Sequence, residues 1–264
     1  MTSQDRNLIV GTGKLGRRFY DYLQSKKQSV ITLSRSPKAW SKQHICYDLL
    51  KNDQAFPKLP QLNKVFIILA PGERSESAYR QTYITAVSNL VSHLHQQQTD
   101  FHCVFVSSTS VYAANTESVI NEHIVPKPDS FSGQILLEAE KNVKSLHAST
   151  SIVRPSGLYS SQRQRLIDSL LDPAQYDNPK WLNLIHEQDI CQWLWQAAIN
   201  QWSLTIASDG FPFQRKQLQD FQQSLPDVET PSLPDHSAKR YLSLNLDQIK
   251  LQYPSIFHWL QSRM

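Results

Sequence analysis

Three of the chain's seven glycines fall within six residues, Gly11-Thr12-Gly13-Lys14-Leu15-Gly16. Their spacing is G-x-G-x-x-G. The apolar run Asn7–Val10 leads into it, and Lys14–Lys27 leaves it with Leu15, Phe19 and Leu23 on one helical side. In that strand–turn–helix context each glycine has a physical task. Gly11 permits the tight turn, Gly13 lets backbone approach a pyrophosphate, and Gly16 lets helix and strand pack closely. The N–H groups of the first helical turn then face the phosphates. The chemistry implied is dinucleotide binding.

The next strand decides which dinucleotide. An NAD site usually carries Asp or Glu at its end, about 20 residues past the turn, on the ribose 2′-hydroxyl. Here the strand Ser29–Leu33 ends in Ser34 and Arg35, with no carboxylate. A guanidinium fork and a hydroxyl suit a 2′-phosphate, so the expected cofactor is NADP, with NAD the alternative. Arg17 or Arg18 is a further candidate cation. Asp48, ending the third strand, is a candidate acceptor for the adenine amino group. Leu49, Ala70 and Pro71, at the ends of the third and fourth strands, are candidates for the cofactor wall.

Positioning these residues requires alternating strands and helices. The run Lys64–Ala70, stopped by Pro71-Gly72, reads as a parallel strand buried on both faces. The other expected strands are His44–Tyr47, Phe101–Val106 and Ser151–Arg154. Helices are expected over Lys38–Lys42, Ser75–Gln97 and Gln134–His147. The alternation predicts a doubly wound parallel sheet of Rossmann type. Beyond Arg154 it loosens. Helices over Arg163–Leu171 and Asp189–Asn200 and strands over Leu182–Ile185 and Leu204–Ala207 mix with prolines, and 225–236 reads as an exposed loop. The expected division is a cofactor domain over 1–155 and a smaller substrate lobe over 156–264.

Composition narrows the function classes. Charged residues make up 19% and the net charge is +4, with Lys and Arg scattered rather than clustered, so a nucleic-acid partner is not expected. No apolar run nears the roughly 20 residues that span a bilayer, and no signal peptide precedes the first strand. The three cysteines form no CxxC pair, which points to reduced thiols in a cytoplasmic protein. No metal site is expected: His93 and His95 stand two apart on a helix, where their side chains diverge. There is no G-x-S-x-G elbow for a serine nucleophile.

Taken in order, GTGKLG at Gly11, Asp48-Leu49, FVSSTSVY over Phe105–Tyr112, VRPSGLY over Val153–Tyr159 and LIHEQD over Leu184–Asp189 resemble one family across nearly the whole chain. The chain is similar to the short-chain dehydrogenase/reductase superfamily, in its extended, NAD-dependent epimerase/dehydratase branch. The resemblance implies a Rossmann sheet with a small C-terminal substrate lobe. It also implies an oxidoreductase or epimerase-like enzyme for a small polar or sugar-derived substrate. By the same analogy, the long helices flanking the sheet are candidates for a homodimer interface.

It further implies a Ser or Thr after the fifth strand to orient the substrate, and a Tyr-x-x-x-Lys on the following helix for proton transfer and ribose binding. Ser108 fits the first role, with Ser107 and Thr109 as neighbours. The other two positions depart from the pattern: Ser132 stands at the tyrosine position and Leu136 at the lysine position. The Tyr-x-x-x-Lys spacings at Tyr22/Lys26, Tyr47/Lys51 and Tyr176/Lys180 do not follow the fifth strand. Tyr112, Tyr159 and His186 are the nearest alternative acids. His186 and Asp189 equally match a segment that usually braces the lobe interface. The competing expectation is a non-catalytic NADP-binding sensor or partner-binding protein.

Overall fold

The computed structural model describes residues 6–51, 55–113, 119–226, 228–234 and 239–263. Asp227 and 235–236, part of the expected loop 225–236, lie outside the described residues.

The buried apolar run of β1 (Arg6–Val10) begins the chain's first β–α unit, and α1 (Lys14–Ser25) follows its glycine turn. Then come β2 (Ser29–Ser34), β3 (His44–Cys46), β4 (Lys64–Ile67), α2 (Glu76–Arg80), a π-helical turn (Gln81–Thr85) and α3 (Ala86–His95). The chain continues through β5 (His102–Val106), β6 (Val119–Ile120), α4 (Phe131–Leu146), β7 (Thr150–Pro155), β8 (Gly157–Tyr159) and α5 (Gln164–Leu170). It closes with β9 (Leu184–His186), α6 (Asp189–Asn200), β10 (Leu204–Ala207), α7 (Arg215–Ser224), β11 (Arg240–Tyr241) and α8 (Ile256–Gln261).

Seven strands form one sheet in the order β10-β7-β5-β4-β1-β2-β3. Pairing from β3 to β7 is parallel throughout. The β7–β10 bonds advance in step, Ile152 N to Ser203 O and Ser156 N to Ala207 O, so that edge is parallel too. This is the α/β Rossmann architecture expected. The strand order reverses at β1, beside β4, and the crevice at the carboxyl ends there is where such sheets take ligands. Two short parallel pairs, β11-β6 and β8-β9, stand outside the sheet.

The chain divides into two compact units. One comprises Met1–Ala113, Pro126–Val153 and Leu194–Leu204; the other comprises Ala114–Val125, Arg154–Trp193 and Thr205–Met264. The first is built on a core of Leu8, Val10, Leu33, Val65, Phe105 and their neighbours. The second has its own core around Tyr159, Phe213, Phe221 and Phe257.

Three local expectations are corrected. Lys38–Lys42 is a turn, not a helix, closed by Ser41 N donating to Lys38 O. β4 stops at Ile67, and Ile68 adds only its N–H bond to Val10 O, because β1 turns away at Gly11. The long helix Ser75–Gln97 is interrupted by the π turn, where Ala86 N–H reaches back to the Gln81 carbonyl.

The buried ring of His102 ties β5 to β7. Ser151 Oγ donates to Ala197 O, so it accepts from His102 Nε2–H at 2.8 Å, and Nδ1 accepts from Ser149 Oγ at 2.9 Å. The neutral ring satisfies both bonds. Burial, then His147 and Lys64 nearby, lower its pKa to about 4. A histidine pKa depressed on folding gives stability that is complete above the unfolded value near 6.5 and is lost as pH falls toward the folded value. Urea unfolding at pH 7 and pH 4.5 should therefore show His102→Gln losing less stability than the parent, by roughly 2 kcal/mol. Equal losses would exclude His102 as an acid-labile group.

Candidate active site

Gly11 sits at φ +100°, a conformation side chains rarely adopt, and a Cβ there would strike the Ile68 carbonyl oxygen. β1 and β4 thus approach each other at the switch point only because residue 11 is glycine. A Cβ on Gly16 would strike the Gly11 carbonyl oxygen, so α1 rests directly on the turn. Gly13 is different: a Cβ there would meet nothing within 4 Å. Its backbone borders open space. α1 begins at Gly13 with no side-chain cap and no acidic residue in its first turn, which leaves its N–H groups and positive dipole end for an anion.

That space belongs to a cavity of about 530 Å³, contained in the first unit. Gly11, Thr12 and Gly13 form its floor; Ser34, Arg35, Ser36 and Lys38 stand at the end of β2 and the turn beyond it. Asp48 and Leu49 come from the end of β3, Ala70 from beyond β4, and Gln81 and Thr82 from the π turn. Of the residues expected at a cofactor site, Lys14, Leu15, Gly16 and Pro71 are not on the wall. Leu15 and Gly16 are buried on the inner face of α1.

Hydrogen bonding sorts the β2 end. Ser34 Oγ donates to Ser36 O at 3.0 Å, so its proton is already used. Ser36 Oγ accepts from Lys38 Nζ at 2.9 Å and keeps its own proton to donate. The donors gathered there are therefore Arg35, Lys38 and Ser36. Sequence reasoning missed Lys38 because a helix was expected at that point; its signal was a second cation three residues past Arg35. Arg17 is not on the wall: it pairs with Asp21 at 2.9 Å and lies over Trp40. Asp48 lines the cavity, and its Oδ1 accepts from Leu50 N at 3.1 Å.

The residues expected to act on a substrate lie elsewhere. Ser108 caps a short 3₁₀ turn, its Oγ accepting from Ser110 N at 3.1 Å, which leaves its proton free. Ser107 donates to the buried Glu140 at 2.6 Å. α4 packs its first turn hard against this loop, since a Cβ on Gly133 would strike the Ser110 carbonyl oxygen. Ser132, in that first turn, is buried with its Oγ 3.2 Å from Ser130 Oγ, and Leu136 is buried in the next turn. None of these lines the cavity.

Tyr112, Tyr159 and His186 are buried as well. Tyr159 packs edge-on against His186 and Trp259 in the second unit. Burial, then Asp209 and Asp189, hold its hydroxyl far above the usual tyrosine range. His186 Nδ1 accepts from Gln188 N at 3.2 Å. Asp189 braces the same unit, accepting from Gln252 N and Tyr253 N. Among the described residues, no group of three or more His, Cys, Asp or Glu is placed to hold a metal, and no helix is long and apolar enough to cross a membrane.

A family model described as the RmlD substrate binding domain matches residues 6–191, well over half of the chain. The chain belongs to this family. It lies in the short-chain dehydrogenase/reductase superfamily, within the epimerase/dehydratase branch its motifs resemble. Solved structures share the fold across almost the whole chain. A Methylobacillus flagellatus protein assigned provisionally as an NAD-dependent epimerase/dehydratase superposes with a TM-score of 0.74 at 24% identity, covering 99% of each chain. MoeE5 in complex with UDP-glucuronic acid and NAD gives 0.75 at 19%, covering 97% of this chain and 96% of that one. A UDP-glucose 4-epimerase gives 0.73 at 14%, covering 97% and 95%. No curated protein matches the sequence.

Proposed function

We propose that this RmlD-family chain is an NADP-dependent epimerase/dehydratase-like oxidoreductase acting on a small polar or sugar-derived substrate. The observation that carries the cofactor reading is the grouping of Arg35, Lys38 and Ser36 on one cavity wall with the glycine turn, with no carboxylate at the end of β2. The cavity fits a dinucleotide at its phosphate end, where Gly13 faces open space and α1 is uncapped. Gly11 to Gly13 and the start of α1 would hold the pyrophosphate, and Arg35, Lys38 and Ser36 the 2′-phosphate. Bound NADP supplies a hydride donor or acceptor. Ser108 has a free proton with which to orient a substrate oxygen. The sugar-derived class is supported by the complex of MoeE5 with UDP-glucuronic acid and NAD. A homodimer through the flanking helices and a cofactor-domain boundary near residue 155 remain part of the proposal.

A second reading has its own observation. Leu136 is buried at the lysine position and Ser132 is tied to Ser130, which favours an NADP-binding protein without turnover. Calorimetric titration of the full chain with NADPH and NADH tests the cofactor reading, which the two proposals share. NADPH should bind at least about tenfold tighter, the value of one charge-assisted contact. Equal affinities would overturn it. Incubating the protein with NADP and a panel of nucleotide sugars separates the two: consumption of substrate supports the enzyme, and binding without consumption supports the second reading.

A further inference from the structure

The π turn Gln81–Thr85 interrupts a helix whose sequence would support regular turns. Such turns recur at functional sites. This one is fixed from one side. Tyr83 packs edge-on against Phe105 and donates its hydroxyl to Leu69 O at 3.4 Å. From the same turn Gln81 and Thr82 line the cavity, one helical turn on from Ser77 and Ala78, which line it too. No residue described in the structure hydrogen-bonds the Gln81 side-chain amide. It therefore offers its NH2 donors and its carbonyl acceptor to whatever fills the cavity. Asp48, which lines the same cavity, is an acceptor.

We infer that Gln81 is a specificity-determining residue that reads the cofactor's base, a step that rests on the NADP reading. A primary amide matches the N6 amino and N7 of adenine with two parallel hydrogen bonds. The remaining N6 proton is left for an acceptor such as Asp48. Hypoxanthine carries an oxygen at position 6 instead. That oxygen cannot donate: Asp48 loses its bond, and Gln81, whichever way its amide turns, can no longer make the two parallel bonds.

The test titrates the full chain with NADPH, NADH and the hypoxanthine analogue of NADPH. The parent protein should prefer NADPH to the analogue by more than roughly fivefold, within the 5- to 150-fold that one bidentate pair supplies. Gln81→Leu should remove at least about fivefold of that preference and leave the ratio of NADPH to NADH unchanged. Gln81→Glu, which keeps the acceptor for N6 but cannot donate to N7, should weaken binding of both cofactors and retain the preference. Gln81 is exposed, so both variants should fold as the parent does. Loss of the NADPH-to-NADH preference in the parent defeats the NADP reading itself. An intact preference there, with a base ratio near one or a ratio that Gln81→Leu does not change, overturns the role of Gln81 alone.

Discussion

Arg35→Asp is expected to weaken NADPH binding by roughly 100-fold, the value of two charge-assisted hydrogen bonds lost from one guanidinium. The Arg35 side chain is exposed and no described residue pairs with it, so its fork is not already spent. The substituted carboxylate adds repulsion toward a 2′-phosphate and supplies the acceptor that NAD sites use for the 2′-hydroxyl. NADH affinity should therefore hold or rise, and the preference should reverse. Lys38→Ala should cost less, about tenfold, because its ammonium already donates to Ser36 Oγ and acts as a point charge. The two effects should not add fully, since both cations bear on one phosphate. Calorimetric titration of the single and double variants with both cofactors gives the comparison. An Arg35→Asp protein that kept its NADPH affinity would place the 2′-phosphate elsewhere and leave Arg35 a solvated surface residue.

What the sequence made legible follows from how tightly each feature ties residue type to geometry. Gly11 and Gly16 are demanded by backbone oxygens that a Cβ would strike, so their spacing alone locates the strand–turn–helix. The centre of the sheet was readable because β4 and β5 are buried strands with largely apolar runs, whereas β3 is short and partly exposed. The π turn was not. Ser75–Gln97 carries a helical pattern on both sides of it, and the i+5 bond at Gln81 leaves no compositional mark. Lys38 was obscured by reading a polar stretch as a helix when backbone bonds make it a turn. The second unit was the least legible. α7 turns only Leu218, Gln219 and Phe221 inward from a polar segment, and β6 and β11 are two residues each. Such elements are set by contacts distant in sequence, which local periodicity does not register. At the expected catalytic positions the sequence was informative by departure: Ser132 and Leu136 are both buried, and neither supplies an ionisable group.

The largest stability effect should come from an ion pair that takes no part in the cofactor cavity. Glu187 is fully buried, and its two carboxylate oxygens are taken by Arg163 Nε and Ser160 Oγ, each at 2.6 Å. All three lie in the second unit and join the segment after β8 to the one after β9. Arg163→Leu would take the Nε–H bond and its positive charge away from a fully buried carboxylate. Breaking a buried pair in this way costs about 3–5 kcal/mol, and the partial exposure of Arg163 places it at the lower end. The sign of its pH dependence is fixed. Removing a cation from beside a buried carboxylate disfavours its charged form relative to the parent. The variant's deficit is then largest at alkaline pH and shrinks as acid protonates the carboxyl. Arg163→Leu combined with Glu187→Leu removes the carboxylate together with its cation and should recover part of the loss, because a buried pair replaced by apolar groups is often neutral. Urea unfolding of the single and double variants at pH 5.5 and pH 8 measures both effects. A single variant as stable as the parent at pH 8 would mean that water or another cation already compensates Glu187. A double variant no better than the single would mean that packing around Arg163, rather than the lost ion pair, carries the cost.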